Sequence, residues 1–315
     1  MALLDVKKLK IYYYTLSGIV KAVDNVTFSL EKGEVLGLAG ESGCGKSTLG
    51  YGLIGLIPPP GRVAGGSIVL DGKELTKLSS EELRKVRWNE ISMIFQGAMN
   101  ALNPVYTVGF QLAEPLIIHK GFTKREALER AAELLEAVGL HRNMVRRYPH
   151  ELSGGQKQRV VIAMSLILNP KLVIADEPTT ALDVVVQAQI MNLFKKIKNE
   201  YRLSIIFITH DLSLIAEIAD RVAIMYAGKI VEIGSSEQVF NNPYHPYTKG
   251  LLNSIPRIRH KEKITWIPGV PPDLRAPPPG CRFHPRCPYA MDVCRREEPE
   301  MKAVEPGHYV ACWLY

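Results

Sequence analysis

Gly40-Glu41-Ser42-Gly43-Cys44-Gly45-Lys46-Ser47 fits the spacing G-x-x-x-x-G-K-[ST]. The motif follows a short apolar run, Glu34–Ala39, and opens a helical stretch from Lys46. In that setting the glycines let backbone N–H groups converge on phosphate oxygens, and the helix N-terminus adds partial positive charge. Lys46 is expected to reach the β- and γ-phosphates of a nucleotide, Ser47 to ligate Mg²⁺, and Thr48 to assist at the phosphates. With a strand before it and a helix after it, a chance glycine turn is a poor account. Cys44 lies inside the same loop. A helix N-terminus lowers a thiol's pKa and would allow a redox switch, but a side chain turned away from the phosphates is the preferred reading.

Leu172–Glu177 is an apolar strand ending in two carboxylates. An acid at the C-terminal end of a parallel strand faces a ligand crevice. Asp176 can hold Mg²⁺ through water, and Glu177 can polarise an attacking water. A solvated turn would explain the pair alone, but not the pair together with the cradle. His210 follows the run 204–209, SIIFIT, and a histidine at that strand end can meet the γ-phosphate and the water.

The elements that position these residues show in the pattern. Val23–Leu30, 34–39, 171–175, 204–208 and Val222–Met225 are strand-like runs alternating with helical stretches, as in an α/β domain. From about 97 to 156 the pattern turns mainly helical. Thr123 and Glu126 form a capping box ahead of ALERAAELLEAVGL, and Gly139 is placed to end that helix. Beyond about residue 255 prolines become frequent, and a small irregular C-terminal domain over 256–315 is expected after a nucleotide-binding domain over 1–255.

Composition narrows the class. The chain has 315 residues, 46% of them apolar, enough for a sizeable core. Its net charge of +7 comes with no block of like charges, so the surplus does not imply nucleic acid, and weak attraction to an anionic membrane face fits equally well. The most apolar stretch, Val160–Ala175, is interrupted at Asn169-Pro170-Lys171, and the first ten residues lack the apolar run of a signal peptide. The expectation is a cytoplasmic protein that serves any membrane through a partner.

Leu152-Ser153-Gly154-Gly155-Gln156 resembles the signature motif of ATP-binding-cassette (ABC) ATPases, and 157–183 continues the likeness without a break. Ala181-Leu182-Asp183 resembles the D-loop, Gln96 the Q-loop glutamine that senses Mg²⁺ and the attacking water, and His210 the switch histidine. Tyr13 resembles the aromatic that stacks on adenine, with Tyr12 and Tyr14 as alternatives. The resemblance implies a P-loop ABC ATPase fold with a mixed sheet and a helical insertion. It also implies that Ser153, Gly154, Gly155 and Gln156 close on ATP held by a second subunit, since a signature before a helix is a second anion-binding end. The segment 94–104, IFQGAMNALNP, the run His245–Leu252 and the terminal cysteine region resemble ATPases of oligopeptide and dipeptide importers. Gly97 and Ala98 stand where that family usually has aspartate and proline, which touches the coupling surface expected near 97–115. The same type of ATPase also serves oligosaccharide systems. The partners so implied are a second ATP-binding subunit, a paralogue or the chain itself, two transmembrane permease subunits and an extracytoplasmic substrate-binding protein, with the chain peripheral on the cytoplasmic face. A soluble ABC ATPase acting on nucleic acid or the ribosome usually has coiled-coil insertions or two cassettes, and a P-loop kinase needs neither signature nor D-loop.

The last motif is Cys281-x₅-Cys287-x₆-Cys294-x₁₇-Cys312. In a cytoplasmic chain such a cluster suggests metal before disulfides. Four thiolates suit a four-iron, four-sulfur cluster or zinc, and the lack of a tight C-x₂₋₄-C hairpin favours the cluster. Related dipeptide-importer ATPases look similar here, and a cluster is associated with that tail. Its role would be a structural staple; two disulfides or four free thiols are the plain alternatives.

Overall fold

The computed structural model describes residues 2–97, 101–254 and 266–315. The expected domain boundary at 255/256 and the departure at Ala98 lie outside the described residues. The chain forms two compact units, Met1–Thr76 with Ile208–Tyr315, and Lys77–Phe207.

In the first unit, β1 (Leu4–Thr15) and β2 (Gly18–Leu30) form an antiparallel hairpin, in register from Leu4↔Leu30 to Thr15↔Gly18. Leu4 and Val6, then Leu9 and Ile11, are buried. The register shift between Val6 and Leu9, with Lys8 at φ 47°, is the bulge that keeps both pairs on the buried face. β3 (Val35–Ala39) is buried at all five positions, as befits a strand covered on both faces. It feeds the cradle and α1 (Lys46–Leu53). β4 (Gly61–Leu70) pairs with the other edge of β1, and β5 (Lys73–Glu74) follows it, giving a sheet ordered β2-β1-β4-β5.

The second unit holds α2 (Ser80–Val86), β6 (Ile91–Ile94), α3 (Val108–Lys120), α4 (Lys124–Ala137), α5 (Gly154–Leu166), β7 (Leu172–Asp176), α6 (Val184–Tyr201) and β8 (Ser204–Ile208), whose last residue lies on the boundary. β7 runs between β6 and β8, parallel to β6. The described part of the stretch 97–156 holds α3, α4 and the start of α5. Thr123 and Glu126 do form a capping box on α4, whose Ala127, Ala131, Leu134 and Leu135 point inward. Gly139 follows at φ 77°.

Back in the first unit come α7 (Leu212–Ile218), β9 (Arg221–Tyr226), β10 (Lys229–Ser235), α8 (Ser236–Asn241), α9 (Pro246–Asn253), α10 (Asp292–Arg296), β11 (Lys302–Glu305) and β12 (His308–Val310). β9 pairs parallel with β3 and antiparallel with β10, and β12 and β11 extend that edge antiparallel. The sheet is therefore mixed. The C-terminal segment is mostly turns, yet it adds two short strands to the sheet that carries the cradle. No helix among the described residues is long and apolar enough to cross a membrane.

Candidate active site

The glycine-rich cradle lies in the first unit. Gly45 is the N-cap of α1 at φ 106°, and a Cβ there would lie 2.0 Å from the Ala22 carbonyl oxygen, so only glycine fits. Gly40 is equally constrained, since its Cβ would meet the Met225 carbonyl oxygen at 2.1 Å. The loop thus curls tightly with its amides at the helix start. Ser42 and Gly43 are exposed on it, and Ser47 and Thr48 are half-buried in the first turn of α1. Lys46 is buried and folds back over its own loop, donating to the Gly40 oxygen at 2.7 Å and the Glu41 oxygen at 3.1 Å. Its third donor direction meets Cys44 Sγ at 3.7 Å. Sulfur is a weak acceptor, which an incoming phosphate oxygen outcompetes. The residues present suit a triphosphate: glycines at Gly40 and Gly45 that allow a tight loop, a pinned ammonium and a hydroxyl at Ser47.

Cys44 itself is buried, and burial pushes its thiol up although Lys46 pulls the other way. A raised, shielded thiol is inert. The three neighbouring tyrosines also separate. Tyr12 donates to Asp24 at 2.7 Å, and Tyr14 lies under the Arg62 guanidinium at 4.0 Å. Tyr13 alone of the three reaches the cradle, with its hydroxyl 3.4 Å from Thr48 Oγ1. Its ring packs where Gly61 has no side chain. His210 stands exposed just after β8, on the first unit's side of the boundary.

The expected carboxylates lie in the second unit. β7 is buried throughout and ends at Asp176, which is 0% exposed. Glu177 follows at φ 46°, an uncommon backbone for a non-glycine residue and a form of strain that tends to gather at functional sites. Gln96 Nε2 donates to Glu177 Oε2 at 2.9 Å, and Thr180 Oγ1 donates to the same oxygen at 2.9 Å. The carboxylate is thereby oriented from two sides. Thr180 was not foreseen, although a hydroxyl three residues after the carboxylate was a legible signal.

The signature opens α5 with a capping box: Ser153 N–H donates to Gln156 Oε1 at 3.0 Å, and Gln156 N–H to Ser153 Oγ at 3.4 Å. Gly154 and Gly155 form the first turn, and a Cβ at Gly155 would lie 2.7 Å from Val186 Cγ1 on α6. Asp183 is the N-cap of α6, accepting from the Val186 amide at 2.9 Å. The signature and the D-loop are thus the starts of two helices that touch at Gly155 and Val186.

The cysteine expectation is corrected. Among the described residues no group of three or more His, Cys, Asp and Glu side chains is placed to hold a metal ion, and Cys281, Cys287, Cys294 and Cys312 are all free. This overturns the four-iron, four-sulfur cluster and leaves zinc unsupported. Burial pushes Cys281 up to about 11 and raises Cys287 and Cys312 as well, so with no cation between them they sit as neutral thiols. The segment is held by other means. Arg282 pairs with Asp24 and donates to the Ala227 oxygen, while Phe283 packs edge-on against Tyr226 at 5.2 Å. Such pairings join residues from 55 to 258 positions apart, and sequence spacing carries no sign of them.

Comparison with known proteins adds the following. Residues 23–180 match the family model described as "ABC transporter", and residues 231–294 match "Oligopeptide/dipeptide transporter, C-terminal region". The dipeptide transport ATP-binding protein DppD of Bacillus subtilis (strain 168) is 49% identical over 99% of this chain and 94% of its own length. The oligopeptide transport ATP-binding protein OppD of Escherichia coli (strain K12) is 49% identical over 99% and 93%. A bacterial ABC transporter cassette solved as a dimer superimposes with a TM-score of 0.66 at 31% identity, covering 74% of this chain and 98% of that one. A dimeric post-hydrolysis cassette bound to ADP and Pi gives 0.65 at 30%, with the same coverage.

Proposed function

Since the chain belongs to the ABC transporter ATPase family, we propose that it is the ATP-hydrolysing subunit that powers an importer of oligopeptides or dipeptides. The observation that carries the enzymatic part is Glu177, an oriented carboxylate following a buried strand that ends in Asp176. The peptide cargo rests on the C-terminal region and on what the relatives are named for.

In this reading Gly40, Ser42, Gly43, Cys44 and Gly45 present backbone amides to the phosphates, Lys46 neutralises them, and Thr48 assists. Tyr13 stacks on adenine. Ser47, Gln96 and Asp176 would hold Mg²⁺, which would supply Lewis-acid stabilisation of charge on the transferred phosphoryl group. Glu177 takes up proton density from the attacking water, and Gln96 and Thr180 keep its carboxylate aimed. His210 contacts the γ-phosphate. Ser153, Gly154, Gly155 and Gln156 grip ATP bound to a second ATP-binding subunit, a paralogue or another copy, with Asp183 at the same interface. The nucleotide-binding domain spans 1–255 and the C-terminal domain 256–315. Two permease subunits and a substrate-binding protein complete the importer, with this chain peripheral on the cytoplasmic face.

The test is co-expression with the permease pair of an oligopeptide or dipeptide importer from the same organism. Co-purification with those membrane subunits and peptide-stimulated ATP turnover are expected. Turnover stimulated by oligosaccharides alone would reassign the cargo, and failure to associate with any membrane subunit would overturn the importer reading.

A further inference from the structure

Glu41 occupies an unassigned position of the cradle, between Gly40 and Ser42, and each of its polar groups is engaged. Its backbone oxygen accepts from Lys46 Nζ at 3.1 Å. Its amide donates to the Tyr247 hydroxyl at 2.9 Å. Its carboxylate takes a two-pronged grip from Arg286, with Nη1 to Oε2 at 2.7 Å and Nη2 to Oε1 at 3.0 Å. Arg286 comes from the C-terminal segment, 245 residues away, and is 7% exposed. It is itself fixed: Nε donates to the Pro268 oxygen at 2.8 Å, and Nη1 lies 3.4 Å from the Tyr226 hydroxyl. Tyr226, Tyr247 and Phe283 pack as one aromatic cluster, with ring centroids 4.6 to 5.4 Å apart. All of these residues lie in the first unit.

A guanidinium held at three edges cannot drift, and a bidentate pair fixes orientation as well as distance. One of the two carbonyls that orient Lys46 is therefore tied to a rigid C-terminal anchor. We propose that Arg286 is a positioning residue for the phosphate cradle, acting through Glu41 to hold the Lys46 ammonium where it meets phosphate. The C-terminal region thereby sets nucleotide affinity. The proposal rests on the cradle being the nucleotide site. The hydrogen bonds from Arg286 to Glu41 also raise the guanidinium's pKa.

The experiment uses the full chain and a fluorescent ATP analogue with Mg²⁺, alongside steady-state ATP turnover and thermal unfolding. Arg286→Ala is expected to raise Kd and KM about ten-fold with kcat little changed, because Glu177 is untouched. Glu41→Gln, which keeps size and the backbone contacts, is expected to do the same to a smaller degree, and it carries the test if Arg286→Ala fails to fold. Arg286→Lys, charged but unable to fork, should fall between wild type and Arg286→Ala. The double variant Glu41→Gln/Arg286→Ala should bind no more weakly than Arg286→Ala alone. Unchanged Kd in folded variants, or single effects that multiply in the double variant, would overturn the proposal. Lys46→Ala separates the two claims. Lost binding there with unchanged affinity in Arg286→Ala overturns the positioning role alone, and retained binding in Lys46→Ala overturns the cradle reading with it.

Discussion

Glu177 and its two donors divide the labour of one carboxylate. A general base contributes about 10²- to 10⁴-fold, so Glu177→Gln should lose at least about 100-fold in kcat while Kd for ATP stays within a few-fold. Thr180 only orients it, through one hydrogen bond of 2.9 Å. A bond to a charged group is worth about 1.5–3 kcal/mol, so Thr180→Val should lower kcat by about 10- to 100-fold and leave KM alone. Equal losses in kcat and affinity would assign Thr180 to binding. His245 makes a second local prediction. Burial holds its imidazole down to about 3, against an ordinary 6.5. Its Nδ1 caps α9 by accepting from the Tyr247 amide at 3.0 Å, a role protonation abolishes, and Glu232 and His308 lie beside it, with Glu232 accepting from the His245 amide. With the folded pKa depressed, the unfolded chain takes the proton first. The contribution is intact above 6.5 and is lost as pH falls towards 3, at up to about 1.4 kcal/mol per pH unit. Urea unfolding at pH 7 and pH 5 should therefore show wild type losing about 2 kcal/mol more than His245→Asn, whose amide oxygen can keep the cap. Parallel losses in the two proteins would place the acid sensitivity elsewhere.

The signature helix and the D-loop helix meet at Gly155, where a Cβ would press on Val186 at 2.7 Å. Substitution there acts through shape as well as charge. Gly155→Asp should abolish ATP-driven dimer formation, because a carboxylate faces phosphate in a desolvated site. Gly155→Ala should weaken it by shifting the start of α6. Sedimentation of both variants with ATP separates the two causes, and an intact dimer in Gly155→Asp would contradict the assignment of Ser153–Gly155 to the partner's nucleotide. The elements themselves were legible in proportion to how local their causes are. The cradle, β7 and the capping box of α4 follow from runs of a few residues. β1 and the antiparallel sheet it organises were missed, because YYYT and KKLK carry no clean alternation once the bulge at Lys8 is included. The strands β11 and β12 were hidden by the prolines around them; β11 pairs with β12, and the other partner of β12, β10, lies some 75 residues earlier.

Across the chain, the C-terminal segment is the part that sequence misjudged and structure re-explains. Four cysteines suggested a metal staple, whereas Arg282 on Asp24, Arg286 on Glu41 and the Tyr226–Tyr247–Phe283 cluster hold the segment to the cradle's own unit. Asp24 shows how closely the two are joined. Burial alone would raise its pKa, but the Tyr12 hydrogen bond with the charges of Lys229 and Arg282 lowers it, so it stays an anion beside the tyrosines. The region that marks the peptide-transporter type is thus wired to the nucleotide end of the same chain. The most direct measurement is peptide uptake into vesicles containing the permease pair, with this chain added as wild type or as Glu177→Gln, and ATP binding and hydrolysis followed in the same samples. Wild type should take up peptide only with MgATP, and Glu177→Gln should bind ATP yet lose at least about 100-fold in both hydrolysis and uptake. Hydrolysis by Glu177→Gln at the wild-type rate, or uptake without hydrolysis, would contradict it.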